Sequence, residues 1–272
     1  VVIQHLDPKH ESLTAEILSR ISPMPVSEVR NRTRIERNHV YVIPSNRNLR
    51  LSKGFLTLSP RLASAPHLPV DFFFQSLAAD KKHLAIGVVL SGIASDGTVG
   101  LRAIKSEGGL TFAQDPKTAE YNGMPRSAIS SGAVDIIESP EGIAEEILRI
   151  SRLFTTNISV VPGEIWKSGP EGSLRMILLT LRNVTGIDFT QYKQNTIQRR
   201  VSRRRLLLKI PTLDSYARYL AEHREEVKTL FEDLLIQVTG FFRDPHAFER
   251  LKSHVLPKYI EDPYKNGSFR VW

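Results

Sequence analysis

The spacing of hydrophobic positions changes character once along the chain. In the first half, short apolar runs alternate with segments of helical period. Val1-Val2-Ile3-Gln4 predicts a buried strand ending at His5. Leu13, Ile17, Leu18 and Ile21 share one face of a helix that Pro23 and Pro25 stop. Strands are predicted at 26–29 and 39–44. A hairpin of 49–51 and 55–58 turns at Gly54 and belongs at the edge of a mixed sheet. A helix over 70–79 leads into a strand at 84–90, and further strands follow at 110–114 and 133–137. Short helices begin at Met124 and at Pro140, the latter with proline in its first position. Strand and helix alternate, which predicts a doubly wound α/β domain with a mostly parallel sheet over residues 1–152.

From 153 to 173 the chain turns to linker chemistry, with Pro162-Gly163 and Ser168-Gly169-Pro170. After it the period is helical throughout. One helix runs from Leu174 to Val184 and closes at Gly186, and a second is rich in arginine. Thr212 caps a third that carries Tyr216, Tyr219 and Leu220. A fourth, from Glu225 to Ile236, buries Val227, Leu230, Phe231, Leu234 and Leu235. These make a small all-α bundle. Within the arginine helix, spacing puts Arg200, Arg203 and Arg204 on one side and Ile197, Val201 and Leu208 on another.

Composition narrows the classes. The chain has 272 residues, 41% hydrophobic and 24% charged, which suits a soluble protein of two domains. It has no cysteine, which excludes disulfides, thiolate metal sites and a cysteine nucleophile, and fits a reducing cytoplasm. Its eight histidines show no HExxH-like spacing, so no metal is predicted, and no apolar run reaches the length of a membrane span. The net charge of +8 favours an acidic partner. The arginine helix reads as a solvated basic face, a nucleic-acid surface or a dock for an acidic protein. Stacking aromatics are not interleaved with the arginines, which ranks nucleic acid last.

The candidate chemistry lies in Gly87 to Thr98, where a buried strand opens through a glycine turn into a helix. Asp96 is the only charge in that turn, and it reads either as a helix cap or as a functional carboxylate. His5 ends another strand run. Two parallel strands delivering His5 and Asp96 to one carboxyl edge make a histidine–carboxylate pair.

Four stretches, in order, carry a resemblance over about residues 1–150: Val2-Ile3-Gln4-His5, Tyr41-Val42-Ile43-Pro44, Leu90-Ser91-Gly92-Ile93-Ala94-Ser95-Asp96-Gly97, and Ala113-Gln114-Asp115 with Gly123-Met124-Pro125-Arg126-Ser127-Ala128-Ile129. Together they resemble the CheB-type protein-glutamate methylesterases of bacterial chemotaxis. The resemblance implies ester hydrolysis by a Ser-His-Asp triad, with His5 as general base and Asp96 as its orienter. It also puts Gly92 and the amides near Ile93 close to the reacting carbonyl. The family's nucleophilic serine sits in a Gly-Ala-Ser-x-Gly-Gly turn after the first strand. That motif does not occur in this chain, so serine and strand are expected upstream of Val1. Ser91 and Ser95 lie on the aspartate's own loop and are not read as nucleophiles. Ile93 replaces the family's usual methionine and keeps its apolar volume.

Over about 174–272, Asp188-Phe189 with Tyr192-Lys193, the arginine run and Thr239-Gly240-Phe241-Phe242-Arg243 resemble the N-terminal region of CheR-type methyltransferases. The helical domain is expected over 174–256. The resemblance implies S-adenosylmethionine as cofactor, contacted by Gln237, Thr239 and Arg243, and a chemoreceptor-type partner met by Arg199, Arg200, Arg203 and Arg204. Residues 257–272, ending Phe269-Arg270-Val271-Trp272, resemble the start of a Rossmann-like methyltransferase domain. Its glycine turn would follow Trp272, and without that turn the cofactor is expected to bind poorly. The two resemblances in this order look like a CheB/CheR-type fusion, of which this chain is a central piece lacking both complete sites. The competing reading is a non-enzymatic scaffold that docks an acidic partner through its basic helix. Oligomeric state is not legible.

Overall fold

The structure, a computed structural model, describes residues 1–5, 12–61, 67–155, 171–235, 249–255 and 257. The chain divides into two compact units, Val1–Leu235 and Ile236–Trp272. In the second, Leu251–Val255 forms a π-helical turn.

The first unit opens with α1 (Thr14–Ile21), β1 (Val26–Glu28), β2 (Thr33–Arg34), β3 (Val40–Val42), β4 (Arg47–Ser52) and β5 (Phe55–Pro60). Val2 bridges Val42 in parallel, and β3 pairs β1 in parallel. The predicted hairpin β4–β5 forms, but it does not edge the parallel sheet. It joins β2, a strand the sequence pattern missed, in a separate antiparallel sheet of order β2-β5-β4. That sheet leans on α2 (Pro69–Lys81), where Ser76 Oγ accepts the Leu51 amide at 3.0 Å.

The next elements are β6 (Ile86–Val89), α3 (Thr98–Ser106), β7 (Leu110–Gln114), α4 (Gly123–Ser130), β8 (Ile136–Glu138) and α5 (Pro140–Thr155). They build a parallel sheet of order β6-β7-β8 with helical crossovers, the expected α/β pattern. The parallel sheet therefore comes in two pieces. Among the described residues no ladder joins Val2 to β6, although His5 and Asp96, just beyond each, meet.

Helices α2 and α3 pack closely and cap each other. A Cβ on Gly100 would lie 2.4 Å from Phe74 Cβ and 3.2 Å from Asp71 Cα, so only glycine allows this approach. Neither helix has a side-chain cap from its own N-cap residue, Leu68 or Gly97. Instead Asp96, before α3, accepts the first-turn amides of α2, and Asp71 in α2 accepts the Gly100 amide of α3 at 2.7 Å. Gly97 holds φ at +89°, which turns the chain from Asp96 into α3.

The helical half contains α6 (Glu171–Thr185), α7 (Gln194–Leu207), α8 (Leu213–Glu222) and α9 (Arg224–Leu234). Thr212 caps α8 as predicted, its Oγ1 accepting the Ser215 amide at 3.1 Å. Ile177, Leu181, Phe189, Ile197, Val201, Tyr216, Leu220, Val227, Leu230 and Leu234 form the core. Leu235, predicted buried, is exposed, because α9 ends one residue earlier. Packing does not stop at the predicted boundary. Leu206 and Leu207 of α7 sit in a cluster with Leu110 and Phe112 of β7 and Ile143 and Ile150 of α5. Leu206 and Leu207 thus tie the helical half to the β6-β7-β8 sheet and α5, and residues 1–235 form one compact unit. Most of the stretch predicted as a linker, 156–170, lies outside the described residues.

Candidate active site

The two residues the sequence singled out for acid–base chemistry are brought together. His5 Nε2 lies 2.8 Å from Asp96 Oδ2, across 91 residues of sequence. The Asp96 side chain is 3% exposed and the His5 side chain 45%. Asp96 is fixed by backbone donors: Val70 N donates to Oδ2 at 2.9 Å, and Asp71 N and Gly97 N donate to Oδ1 at 2.8 Å each. The carboxylate is therefore both a helix cap, of α2 rather than its own α3, and an anchor for the imidazole. Burial pushes its carboxyl group up. The bond from His5 and the amides of Asp71 and Val70 outweigh that and hold it below the usual carboxylate value.

An ionised, buried Asp96 accepts a hydrogen bond from Nε2–H and so favours the tautomer of His5 with Nδ1 bare. Nδ1 is then the nitrogen that can take a proton from a hydroxyl. Burial keeps this anion from escaping to water, and orientation by a fixed carboxylate is what a histidine base requires.

Two nearby residues were not singled out in the sequence. The ring of His67, two residues ahead of α2, stands edge-on to His5 with centroids 6.0 Å apart. Burial, then the charges of Arg61 and His5, lower its pKa, with Asp96 opposing. The buried Asp71 is pushed up by burial and, more weakly, by Asp96, against the amide of Gly100. The legible signal for Asp71 was an acidic residue in the first turn after Pro69.

The loop after β6 is tied to the start of α4 through Gly92. Its amide donates to Tyr121 O at 2.8 Å and its carbonyl accepts from Met124 N at 2.9 Å, so that amide is spent on holding the start of α4. Ser91 Oγ accepts the Tyr121 amide at 3.0 Å, which makes it a structural tie, consistent with its rejection as a nucleophile. Ile93 is 71% exposed, and Ala94 sits at a left-handed φ of 69°. Gly123 presses against this turn: a Cβ there would meet Ala94 N at 2.9 Å.

The arginine helix requires a correction. Arg200, Arg203 and Arg204 are not presented on a free face. Arg204 forks onto Glu226, with Nε to Oε1 at 2.9 Å and Nη2 to Oε2 at 2.5 Å, and Tyr216 OH donates to the same carboxylate at 2.7 Å. Arg200 and Arg203 bond to the α/β half. Arg199 is half-buried. Helical spacing had assigned arginine to solvent, whereas these guanidiniums are buried because carboxylates and carbonyls meet them. Gln237, Thr239 and Arg243 lie outside the described residues, and no cofactor step is derived through them. Among the described residues, no cluster of three or more His, Asp or Glu side chains could hold a metal ion, and no helix is long and apolar enough to cross a membrane.

Comparison with known proteins gives a family for each half. The CheB methylesterase family model matches residues 1–147, and the CheR methyltransferase all-alpha domain matches residues 173–235. An uncharacterized 104.1 kDa protein of Rhodobacter capsulatus is 34% identical over 95% of this chain and 29% of its own length. A protein-glutamate methylesterase/protein-glutamine glutaminase of Photorhabdus laumondii is 35% identical over 58% of this chain and 45% of its own. The chain thus spans less than half the length of either relative. The crystal structure of the Thermotoga maritima CheB methylesterase catalytic domain superposes with a TM-score of 0.50 at 28% identity, covering 54% of this chain and 81% of that one. The α/β half with its His5–Asp96 pair belongs to the CheB methylesterase family, and a CheR-type all-alpha domain follows it in the same chain.

Proposed function

We propose that this chain is the esterase and helical portion of a protein that removes and adds methyl groups on glutamate side chains of a chemoreceptor or similar sensory partner. The observation that carries the hydrolytic half is the 2.8 Å pair of a part-exposed His5 and a buried, amide-held Asp96. In this reading a serine hydroxyl reaches His5 Nδ1 from a strand that completes the sheet between Val2 and β6, two pieces that no ladder joins among the described residues. His5 takes the serine proton as the oxygen attacks the γ-ester carbonyl, then gives it to the departing methanol. Water, deprotonated by the same imidazole, releases the acyl group as a free γ-carboxylate. A side-chain amide, the second substrate in the Photorhabdus relative's name, would follow the same steps with ammonia leaving.

The transferase half rests on the all-alpha domain match. S-adenosylmethionine would supply the methyl group, and Gln237, Thr239 and Arg243 are its proposed contacts. The test is methanol release from a methyl-esterified receptor peptide by the longer protein that contains this chain. His5→Ala is expected to lower turnover by about 10³-fold or more at equal folding. Equal turnover in parent and variant would remove His5 from the mechanism.

A further inference from the structure

The face of α7 that reads in sequence as a partner dock already has an occupant. Arg203 is 4% exposed and bridges both halves of the first unit. Its Nε donates to Gly109 O at 3.1 Å, its Nη1 to Asp233 Oδ2 of α9 at 2.7 Å, and its Nη2 to Asp135 Oδ1, just before β8. Asp135 is buried in turn by Thr111, whose amide and hydroxyl donate to its Oδ2 at 3.0 and 2.8 Å, and by Lys105 Nζ at 3.3 Å. Arg200 caps the far end of α3: Nη1 donates to Lys105 O at 2.8 Å and Nη2 to Ser106 O. One turn on, Leu206 and Leu207 enter the sheet's hydrophobic cluster, and Leu206 O accepts Arg149 Nη2 at 3.1 Å.

We infer that the partner of this arginine face is the α/β half of the same chain, and that α7 is a docking helix used in cis. The chemistry fits that occupant closely. A guanidinium supplies five donors in a plane, and here they meet a carboxylate from each half plus the carbonyl between α3 and β7. Arg200 meets carbonyls that a helix C-terminus leaves without partners, where a cation is favoured. Separating the halves would take Arg203 away from the buried Asp135 while leaving it on Asp233, and would expose Leu206 with the cluster around it. An acidic protein that engages Arg200 and Arg203 must therefore displace α7 from the sheet first. The two halves hold one fixed arrangement, independent of whether the esterase reading holds.

The chain contains no cysteine, so paired spin labels can be placed by Glu145→Cys on α5 and Glu222→Cys on α8, both exposed. The 272-residue chain is expected to give one narrow distance distribution. Arg203→Met and Arg200→Met are expected to broaden it at least about twofold while amide protection in β7 and α8 persists. Arg200→Met orphans no carboxylate, so it decides the matter if Arg203→Met does not fold. A broad or multi-peaked distribution in the parent, or a distribution left narrow by Arg200→Met, would overturn the inference.

Discussion

Replacing Asp96 by Asn separates the two jobs its carboxylate does. Oδ1 serves the fixed amides of Asp71 and Gly97, and Oδ2 serves the Val70 amide and His5. An asparagine oxygen is held by the pair of amides, so its NH₂ must face the other two. The Val70 N–H then loses its acceptor inside the protein, a cost of about 1–3 kcal/mol. Loss of the negative charge at the start of α2 adds about 0.5–1 kcal/mol. The sum, roughly 1.5–4 kcal/mol at pH 7, shifts a urea midpoint by about 0.75–2 M for a slope of ~2 kcal/mol/M. The NH₂ also turns His5 around: Nε2 becomes the acceptor and Nδ1 carries the proton. Nitrogen NMR of the imidazole reads this directly, with Nε2–H in the parent and Nδ1–H in Asp96→Asn. A variant within about 0.5 kcal/mol of the parent, or one that keeps Nε2–H, would refute the reasoning.

Acid unfolding should carry the same signature. Asp96 has a folded-state pKa below its unfolded value of 3.8, so its contribution is present above that pH and lost as pH falls through the lower value. The stability gap between parent and Asp96→Asn is therefore expected to close on acidification. Asp71 is raised above 3.8, so it weighs against folding as pH rises through its folded value. Asp71→Asn keeps an acceptor for Gly100 and should be neutral or stabilising at pH 7 by urea titration. Burial, then Arg199 and Lys82, lower His83, whose Nδ1 is buried without a partner among the described residues. Its unfolded form takes a proton first as pH drops below 6.5, so stability should fall there, and His83→Gln should flatten part of that slope. Gly100→Ala should destabilise by up to about 2 kcal/mol in thermal unfolding, because an overpacking cost of about 1–3 kcal/mol against Phe74 outweighs the ~1 kcal/mol helix gain.

The parts of the fold fixed by period were legible. Strand runs at 40–42, 86–89 and 110–114 emerge as such, because a buried parallel strand announces itself as an uninterrupted apolar run. His5 and Asp96 could be read because each closes such a run at the carboxyl edge. Pairing partners were not legible. The two-residue β2 has too few positions to show alternation, and the hairpin's independence from the parallel sheet depends on its packing against α2. The arginines of α7 were misplaced for a different reason. A helical wheel assigns charge to water, and it has no access to Asp135 and Asp233, which lie 68 and 30 residues away and make burial favourable. His67 escaped notice because its approach to His5 is made by the chain entering α2, not by any local pattern.

The central claim is that His5 and Asp96 activate a serine brought beside them. Labelling the longer protein with a serine-directed fluorophosphonate, followed by peptide mass spectrometry, tests it most directly. The account predicts one modified serine, located upstream of Val1, with labelling at least about 10²-fold slower in His5→Ala. Modification of Ser91 or Ser95, or a rate indifferent to His5, would contradict it.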